Sequence, residues 1–192
     1  MEQEKPRLVV LIASTRPGRQ GPVVARWAFD AIQRHGGFRA ELVDLAEVGL
    51  PIFDEPHHPR QQKYQHEHTK RWSAIVGAAD AFVFVTPEYN FGPPPSLLNA
   101  LNFLYNEWNY KPVAFVSYAG VSAGTRGVQV TKNTVTTLKM VPVYEAVSIP
   151  NFWEHIADGR FQAKDVHEKA AKDMLDELAR WAAALKPMRS RA

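Results

Sequence analysis

The chain alternates between short apolar runs and longer stretches in which apolar residues recur at helical spacing. Apolar runs rich in Val, Leu and Phe occupy residues 8–12, 81–85 and 113–116, and turn residues bound each run. Such runs are typical of strands covered on both faces, as in a parallel sheet. Two more mixed runs, at 38–44 and 141–149, carry charged residues or proline and therefore indicate edge strands.

Between these predicted strands lie five stretches with helical periodicity, at residues 22–35, 65–79, 94–108, 127–139 and 165–185. Strand and helix alternate five times without a repeat or a linker, which predicts one doubly wound α/β domain over residues 1–192. Placing the two mixed strands at the edges gives a five-stranded parallel sheet of order 2-1-3-4-5, with helices on both faces. In such a sheet, ligands bind at the carboxyl ends of the strands, near the point between strands one and three.

The charge and the absence of cysteine limit the classes of partner and the cellular compartment expected for the chain. The net charge of +3 arises from three bases that follow Leu185, namely Lys186, Arg189 and Arg191, while the rest of the chain is balanced. We therefore expect a solvated basic tail from about residue 186, and no nucleic-acid partner. The chain has no Cys, and it shows neither a signal-peptide pattern nor a membrane-spanning run. These features predict a cytoplasmic protein without a membrane partner.

The loop after the first strand, residues 13–21, leads directly into a helix that begins near Pro22. It offers two hydroxyls, two guanidinium groups without an acidic partner in the loop, and free amides at a helix start, a combination that favours a phosphate. The residues expected to hold it are Ser14, Arg16, Arg19, Gln20, Gly21, Pro22 and Val23. The alternative is an ordinary polar turn in which Ser14 caps the helix.

The same loop lacks both the G-x-G-x-x-G pattern and the Gly-Lys-Ser/Thr ending of a P-loop, which argues against dinucleotide dehydrogenases and phosphoryl-transfer enzymes of those kinds. It offers one phosphate cradle and no second glycine-rich pyrophosphate site. A mononucleotide such as FMN is therefore expected rather than FAD.

The loops after the third and fourth strands are suited to a flat heterocycle such as a flavin. Residues 86–95 contain prolines, two aromatic residues and Gly92, so backbone groups can be held rigidly against the polar edge of a ring. Residues 117–127 are small and rich in glycine, which permits close approach of the backbone. The residues expected to frame the ring are Pro87, Glu88, Tyr89, Asn90, Phe91, Ser117, Tyr118, Ala119 and Gly120. Two interpretations of Tyr118 remain open, namely cover for one edge of the flavin and packing at the rim of a strand end.

Two of these patterns, Ser14-x-Arg16 after strand one and Pro-Glu-Tyr-Asn at 87–90, resemble the NADPH-dependent FMN reductase family. The resemblance extends over roughly residues 8–149. It implies a flavodoxin-like fold, non-covalently bound FMN, homodimers or dimers of dimers, and reduction of flavins, quinones or azo compounds by NADPH or NADH.

The sequence departs from the family's pattern at two places. Arg19 stands where many members have a small hydroxyl residue, and Thr125-Arg126 interrupts a Gly-Gly pair. These departures leave open whether the phosphate contacts are redistributed and whether Arg126 serves the nicotinamide nucleotide.

The expected reaction is hydride transfer from the nicotinamide to the flavin and then to a small-molecule acceptor, with no catalytic acid or base in the chain. Two alternatives remain: a flavodoxin-type electron carrier, and a flavin-free regulatory or interaction protein on the same fold. The helix predicted after Pro95 is apolar on more than one face, which predicts a homodimer. The His-rich segment 51–69 is expected to form a lid or a subunit contact rather than a metal site, and Trp153 is expected to be a packing residue.

Overall fold

A parallel sheet between two layers of helices forms the centre of this computed structural model, which describes residues 4–189. Its strands are β1 Arg7–Ile12, β2 Arg39–Asp44, β3 Ala81–Pro87, β4 Pro112–Tyr118, β5 Val141–Pro142 and β6 Val147–Ile149. The helices are α1 Gly21–His35, α2 Leu45–Val48, α3 Glu67–Ala78, α4 Pro95–Asn102, α5 Thr125–Thr137 and α6 Asp165–Arg189. A separate antiparallel hairpin pairs β7 Ile156–Ala157 with β8 Arg160–Phe161.

The strand order is β2-β1-β3-β4-β5, with β6 also paired to β4, and every pair in this sheet is parallel. Along β3, Phe82 and Phe84 pack on the side of α3, α4 and α5, whereas Val83 and Val85 pack on the side of α1 and α6. Both faces of the central strands are therefore buried, as their continuous apolar runs predict. The predicted flavodoxin-like order and the two helical layers are confirmed.

The edge strand beside β4 differs from the single strand predicted at 141–149. It consists of two short pieces, β5 and β6, and the chain leaves the sheet between them. Val143 still donates to the Val113 carbonyl at 2.9 Å, but Tyr144 points into solvent. Val141 and Val143 both donate to carbonyls of β4 or of the residue just before it, so Pro142, which has no N–H, lies at the position that faces the outer edge of the sheet.

Helix α4 is shorter than the predicted helix at 94–108 and ends at Asn102. The chain then turns into a short 3-10 segment, Asn106–Trp108. The turn lets most of the apolar residues of this segment pack inside their own chain: Leu97, Leu101, Phe103, Leu104 and Trp108 are all buried. The surplus apolar face from which a homodimer was predicted is therefore covered, and only Leu98 and Tyr105 of this set are partly exposed.

As far as the described residues reach, the expected basic tail is exposed at residues 186–188, but it is part of a helix. Helix α6 continues through Lys186 to Arg189. The Arg189 guanidinium donates to the Asp80 carboxylate at 2.6 Å and to the Tyr110 carbonyl at 3.2 Å. This end of α6 is therefore fastened to the loops before β3 and β4, while Arg191 lies outside the described residues.

Candidate functional site

The predicted binding residues all lie at one edge of the sheet, where β1, β3 and β4 end and α1 begins. They are Ser14, Arg16, Arg19, Gln20, Gly21, Pro22 and Val23 from the first loop, Pro87, Glu88, Tyr89, Asn90 and Phe91 from the second, and Ser117, Tyr118, Ala119 and Gly120 from the third. Ser14 and Tyr89 share a hydrogen bond of 2.6 Å between their hydroxyls. This contact joins the first loop directly to the second.

The start of α1 is open to a ligand. Gln20, the residue before the helix, makes no side-chain capping bond, and the first turn contains no acidic residue. Ser14 does not cap the helix, because its hydroxyl is bound to Tyr89. Arg16 is exposed and forms no ion pair with any described residue. The uncapped amides and the free guanidinium can both serve an anion.

Both arginines of the first loop were expected to lack a carboxylate partner, but Arg19 has one. Its Nη2 lies 2.5 Å from the Asp44 carboxylate, and both side chains are largely buried. Asp44 ends β2, which is the neighbour of β1 in the sheet, so a residue distant in sequence supplies the partner. The charge of Arg19 is thereby compensated, although its Nε is buried without a hydrogen-bond partner.

Tyr118, for which the sequence indicates either a contact with one flavin edge or packing at the strand end, is buried at the end of β4. Its side chain turns under the first loop: a Cβ atom built on Gly21 would lie 2.8 Å from the Tyr118 hydroxyl. That hydroxyl is buried and has no hydrogen-bond partner. Two buried donors thus lack a partner near the uncapped start of α1: the Tyr118 hydroxyl, which lies beside Gly21, and Nε of Arg19, which precedes Gly21 by two residues. These residues fit the phosphate of FMN.

The second loop is a tight two-residue hairpin. Tyr89 and Gly92 exchange backbone hydrogen bonds of 2.8 and 2.9 Å, and the residues between them, Asn90 and Phe91, have φ values of 49° and 68°. Both lie in the left-handed region, which is costly for a bulky residue such as Phe91. The Phe91 side chain is nevertheless 63% exposed. Strained conformations of this kind persist mainly where function requires them.

Glu88 fastens the second loop to the third. Its side chain is only 4% exposed and accepts hydrogen bonds from the Arg126 and Gly127 amides, at 3.1 and 3.3 Å, and from Arg126 Nε at 2.7 Å. Burial alone would raise the pKa of Glu88, but the bonds from Arg126 and Gly127 hold that pKa below its usual value. Arg126 also covers the Phe91 ring at 3.8 Å. Arg126 is thus paired with Glu88 and stacked on Phe91 in this structure.

The third loop is braced by the segment that follows β6. Asn151 donates its amide to the Gly120 carbonyl at 3.1 Å, and Phe152 donates to the Ala119 carbonyl at 3.2 Å. The next residue, Trp153, is 55% exposed and lies within 3.5 Å of the position that a Cβ on Gly120 would take. Trp153 is therefore exposed beside the third loop, and its ring also packs edge-on against Phe152, with ring centres 5.5 Å apart.

A groove of about 800 Å³ opens beside the first loop. It lies between α2, the residues after α2 and the first part of α4, and its walls include Thr15, Leu50 and Leu98. Ile52, at its margin, is 89% exposed. The groove is mainly apolar and adjoins the predicted phosphate loop.

The His-rich segment places His68 Nε2 3.0 Å from the Asp54 carboxylate, with the His66 ring stacked on that of His68. Within residues 4–189, no group of three potential metal ligands has the geometry to hold an ion. No helix in this part of the chain is long and apolar enough to cross a membrane.

A doubly wound parallel sheet with an uncapped helix start at the carboxyl end of its first strand is typical of flavodoxin-like flavin-binding proteins. The family model described as NADPH-dependent FMN reductase matches residues 6–154, and the chain belongs to this family. An NAD(P)H-dependent FMN reductase of Schizosaccharomyces pombe is 41% identical to this chain over 149 residues, which cover 76% of this chain and 74% of that protein.

Two further comparisons agree with this assignment. An NADPH azoreductase of a Bacillus species is 34% identical over 119 residues, which cover 62% of this chain and 61% of the azoreductase. FerB, a flavoenzyme NAD(P)H:(acceptor) oxidoreductase from Paracoccus denitrificans, has the same fold, with a TM-score of 0.72 at 21% identity over 93% of this chain and 98% of its own. The predicted family, fold and oxidoreductase class, with FMN and NADPH or NADH as cofactors, are confirmed.

Proposed function

We propose that the chain holds the FMN phosphate at the start of α1 and the flavin ring between the second and third loops. The observation that carries this assignment is the hydrogen bond between Ser14 and Tyr89, because it makes the phosphate cradle and the ring frame one continuous site. Arg16 and the α1 amides are assigned to the phosphate. Residues 87–91 and 117–120, with Tyr118 excepted, are assigned to the ring.

The chemistry that FMN supplies when bound is hydride transfer from a nicotinamide nucleotide to an acceptor. The residues of the chain hold the site in shape for it. Glu88 accepts bonds from the start of α5 and from Arg126, and so fixes the distance between the loops on either side of the ring. Since the lowered pKa keeps Glu88 ionised, it positions these loops and does not exchange protons.

The proposed acceptors are flavins, quinones or azo compounds, taken up in turn with the nucleotide at the same open face. The exposed rings of Phe91 and Trp153 supply apolar contact surface for planar acceptors of this kind. The name of the Bacillus relative as an azoreductase supports the same range.

Purified protein provides the test of this function. We expect a flavin absorption spectrum, release of FMN rather than FAD on acid treatment, and flavin-dependent oxidation of NADPH or NADH with a quinone present. Bound FMN without nucleotide oxidation would indicate an electron carrier instead. Failure to bind any flavin at micromolar concentration would indicate a regulatory or interaction protein.

We also propose a homodimer in the cytoplasm, where reduced nicotinamide nucleotides are produced. The support is the apolar groove beside α4 together with the exposed side chain of Ile52. Light scattering at micromolar concentration should give twice the chain mass of 21.6 kDa. Replacing Ile52 with Glu should shift the protein toward monomer, whereas Val130→Glu, at an exposed position on α5, should not.

A further inference from the structure

A tyrosine hydroxyl is buried without a partner beside the helix start proposed to bind phosphate. Tyr118 is 2% exposed and its hydroxyl makes no hydrogen bond with the rest of the protein. Buried polar groups in folded proteins nearly always have a hydrogen-bond partner, either within the protein or in a bound water, ion or ligand. The position of this hydroxyl therefore requires an explanation.

Two polar groups of the first loop are already bound to other residues. The Ser14 hydroxyl is bound to Tyr89, and Arg19 Nη2 is bound to Asp44. The Tyr118 ring is held in place by an edge contact with Phe152, with ring centres 5.1 Å apart. The hydroxyl is thus held near the first loop by packing, and no acceptor of the protein itself draws it there.

The backbone of the first loop approaches this hydroxyl closely. Only the missing side chain of Gly21 makes the approach possible, since a Cβ there would lie 2.8 Å from the hydroxyl and 3.1 Å from Ile12 Cγ2. Burial raises the pKa of Tyr118, so the hydroxyl remains protonated and can donate. A neutral donor at an uncapped helix start is suited to an oxygen of an anion.

We propose that the Tyr118 hydroxyl donates a hydrogen bond to the phosphate of bound FMN, so that strand β4 contributes to the phosphate site and not only to the ring site. This inference rests on the proposed function. It assigns Tyr118 as a binding residue that distinguishes flavins with a phosphate from those without one.

Riboflavin provides the decisive comparison, because it has the ring of FMN and lacks the phosphate. Flavin-free protein is titrated with each flavin, and binding is followed by quenching of flavin fluorescence. Tyr118→Phe should weaken FMN binding by about 10-fold or more, the usual effect of losing a hydrogen bond to a charged group, and leave riboflavin binding unchanged. Tyr110→Phe, at a half-buried tyrosine just before β4 and therefore at the opposite end of that strand, is the matched control and should change neither.

Thermal unfolding tests whether the Tyr118 hydroxyl instead has a structural role, because such a role predicts a change in Tm of the opposite sign. Removing an unpartnered buried hydroxyl should leave the Tm of the flavin-free protein unchanged or raise it, while the rise in Tm caused by saturating FMN should become smaller. A lower Tm of flavin-free Tyr118→Phe would show that the hydroxyl has a partner within the protein and would overturn the inference.

The remaining outcomes also separate the two proposals. An equal loss of FMN and riboflavin affinity would assign Tyr118 to the ring, and no loss for either flavin would make it a packing residue; both results overturn the inference while the proposed function stands. Wild-type protein that binds neither flavin would reject the proposed function and the inference with it.

Discussion

The Arg19 guanidinium lies 2.5 Å from the Asp44 carboxylate, so the two arginines of the first loop are not equivalent. An anion that approaches the α1 start meets one compensated charge and one free charge, that of Arg16. At position 19 this chain has an arginine where many family members have a small hydroxyl residue, and the ion pair with the end of β2 explains this difference.

Arg16→Ala should weaken FMN binding by roughly 1.5 kcal/mol, the lower end of the range for a hydrogen bond to a charged group, because Arg16 is exposed and screened by solvent. Titration of flavin-free protein measures the change, and added salt should reduce the difference between wild type and variant. Arg39→Ala, at an exposed arginine of the β2 edge, is the control. Wild-type affinity in Arg16→Ala would exclude Arg16 from the phosphate site.

Glu88→Gln should loosen the contact between the second and third loops. The substitution replaces one of the two carboxylate oxygens, which accept hydrogen bonds from the start of α5 and from Arg126, with an amide nitrogen that cannot accept. We expect weaker FMN retention but a rate of flavin reduction within about 10-fold of wild type once the protein is saturated with FMN. Stopped-flow reduction by NADPH measures this rate. A loss of ~100-fold or more with FMN still bound, the scale of general acid-base catalysis, would contradict a purely positioning role.

Trp153→Ala should raise the KM for a planar quinone several-fold, because the exposed indole is removed from the rim of the third loop. The rate at which NADPH reduces bound flavin should not change. Steady-state kinetics with a quinone and stopped-flow reduction separate the two steps. Trp181→Ala, at a partly exposed tryptophan on α6, is the matched control, and equal effects of the two substitutions would argue against a role for Trp153 at the site.

Lys111, away from the site, gives a prediction for stability. It is buried, and its ammonium donates to the carbonyls of Val76 and Gly77 at the end of α3, at 2.7 and 3.0 Å. Burial lowers the pKa of Lys111 from 10.5 to about 8. Between these two pH values the unfolded chain binds more protons than the folded one, so stability rises with pH.

Because of Lys111, the free energy of unfolding should increase by about 3 kcal/mol between pH 8 and 10.5. Urea unfolding of wild type and Lys111→Met across this range measures it as a difference between the two proteins. The comparison is necessary because burial raises the pKa of Tyr64 and Tyr118, which lowers stability at the alkaline end in both proteins. Parallel pH profiles of wild type and variant would contradict the prediction.

The sequence was sufficient to predict the strand order and the three loops. Apolar runs without alternation identify buried parallel strands, and in a parallel sheet the loops that follow them must meet at one edge. The pairing of Ser14 with Tyr89 across two loops is a consequence of that topology.

Contacts that depend on the direction of a side chain could not be predicted from the sequence. Neither the pairing of Arg19 with Asp44 nor that of Glu88 with Arg126 follows from spacing, since the partners are 25 and 38 positions apart. The direction of Tyr118 depends on the space left by Gly21. The end of α4 at Asn102 was also missed, because the apolar pattern continues through the turn that buries Phe103.

The interruption of the edge strand between β5 and β6 limits how this protein can self-associate. At that edge Pro142 offers no N–H, and the chain leaves the sheet at Tyr144, so a foreign strand finds no long row of unpaired backbone groups. At the opposite edge, Arg39 and Glu41 place exposed charges along β2. Both edges of the sheet therefore disfavour pairing with a strand of another copy.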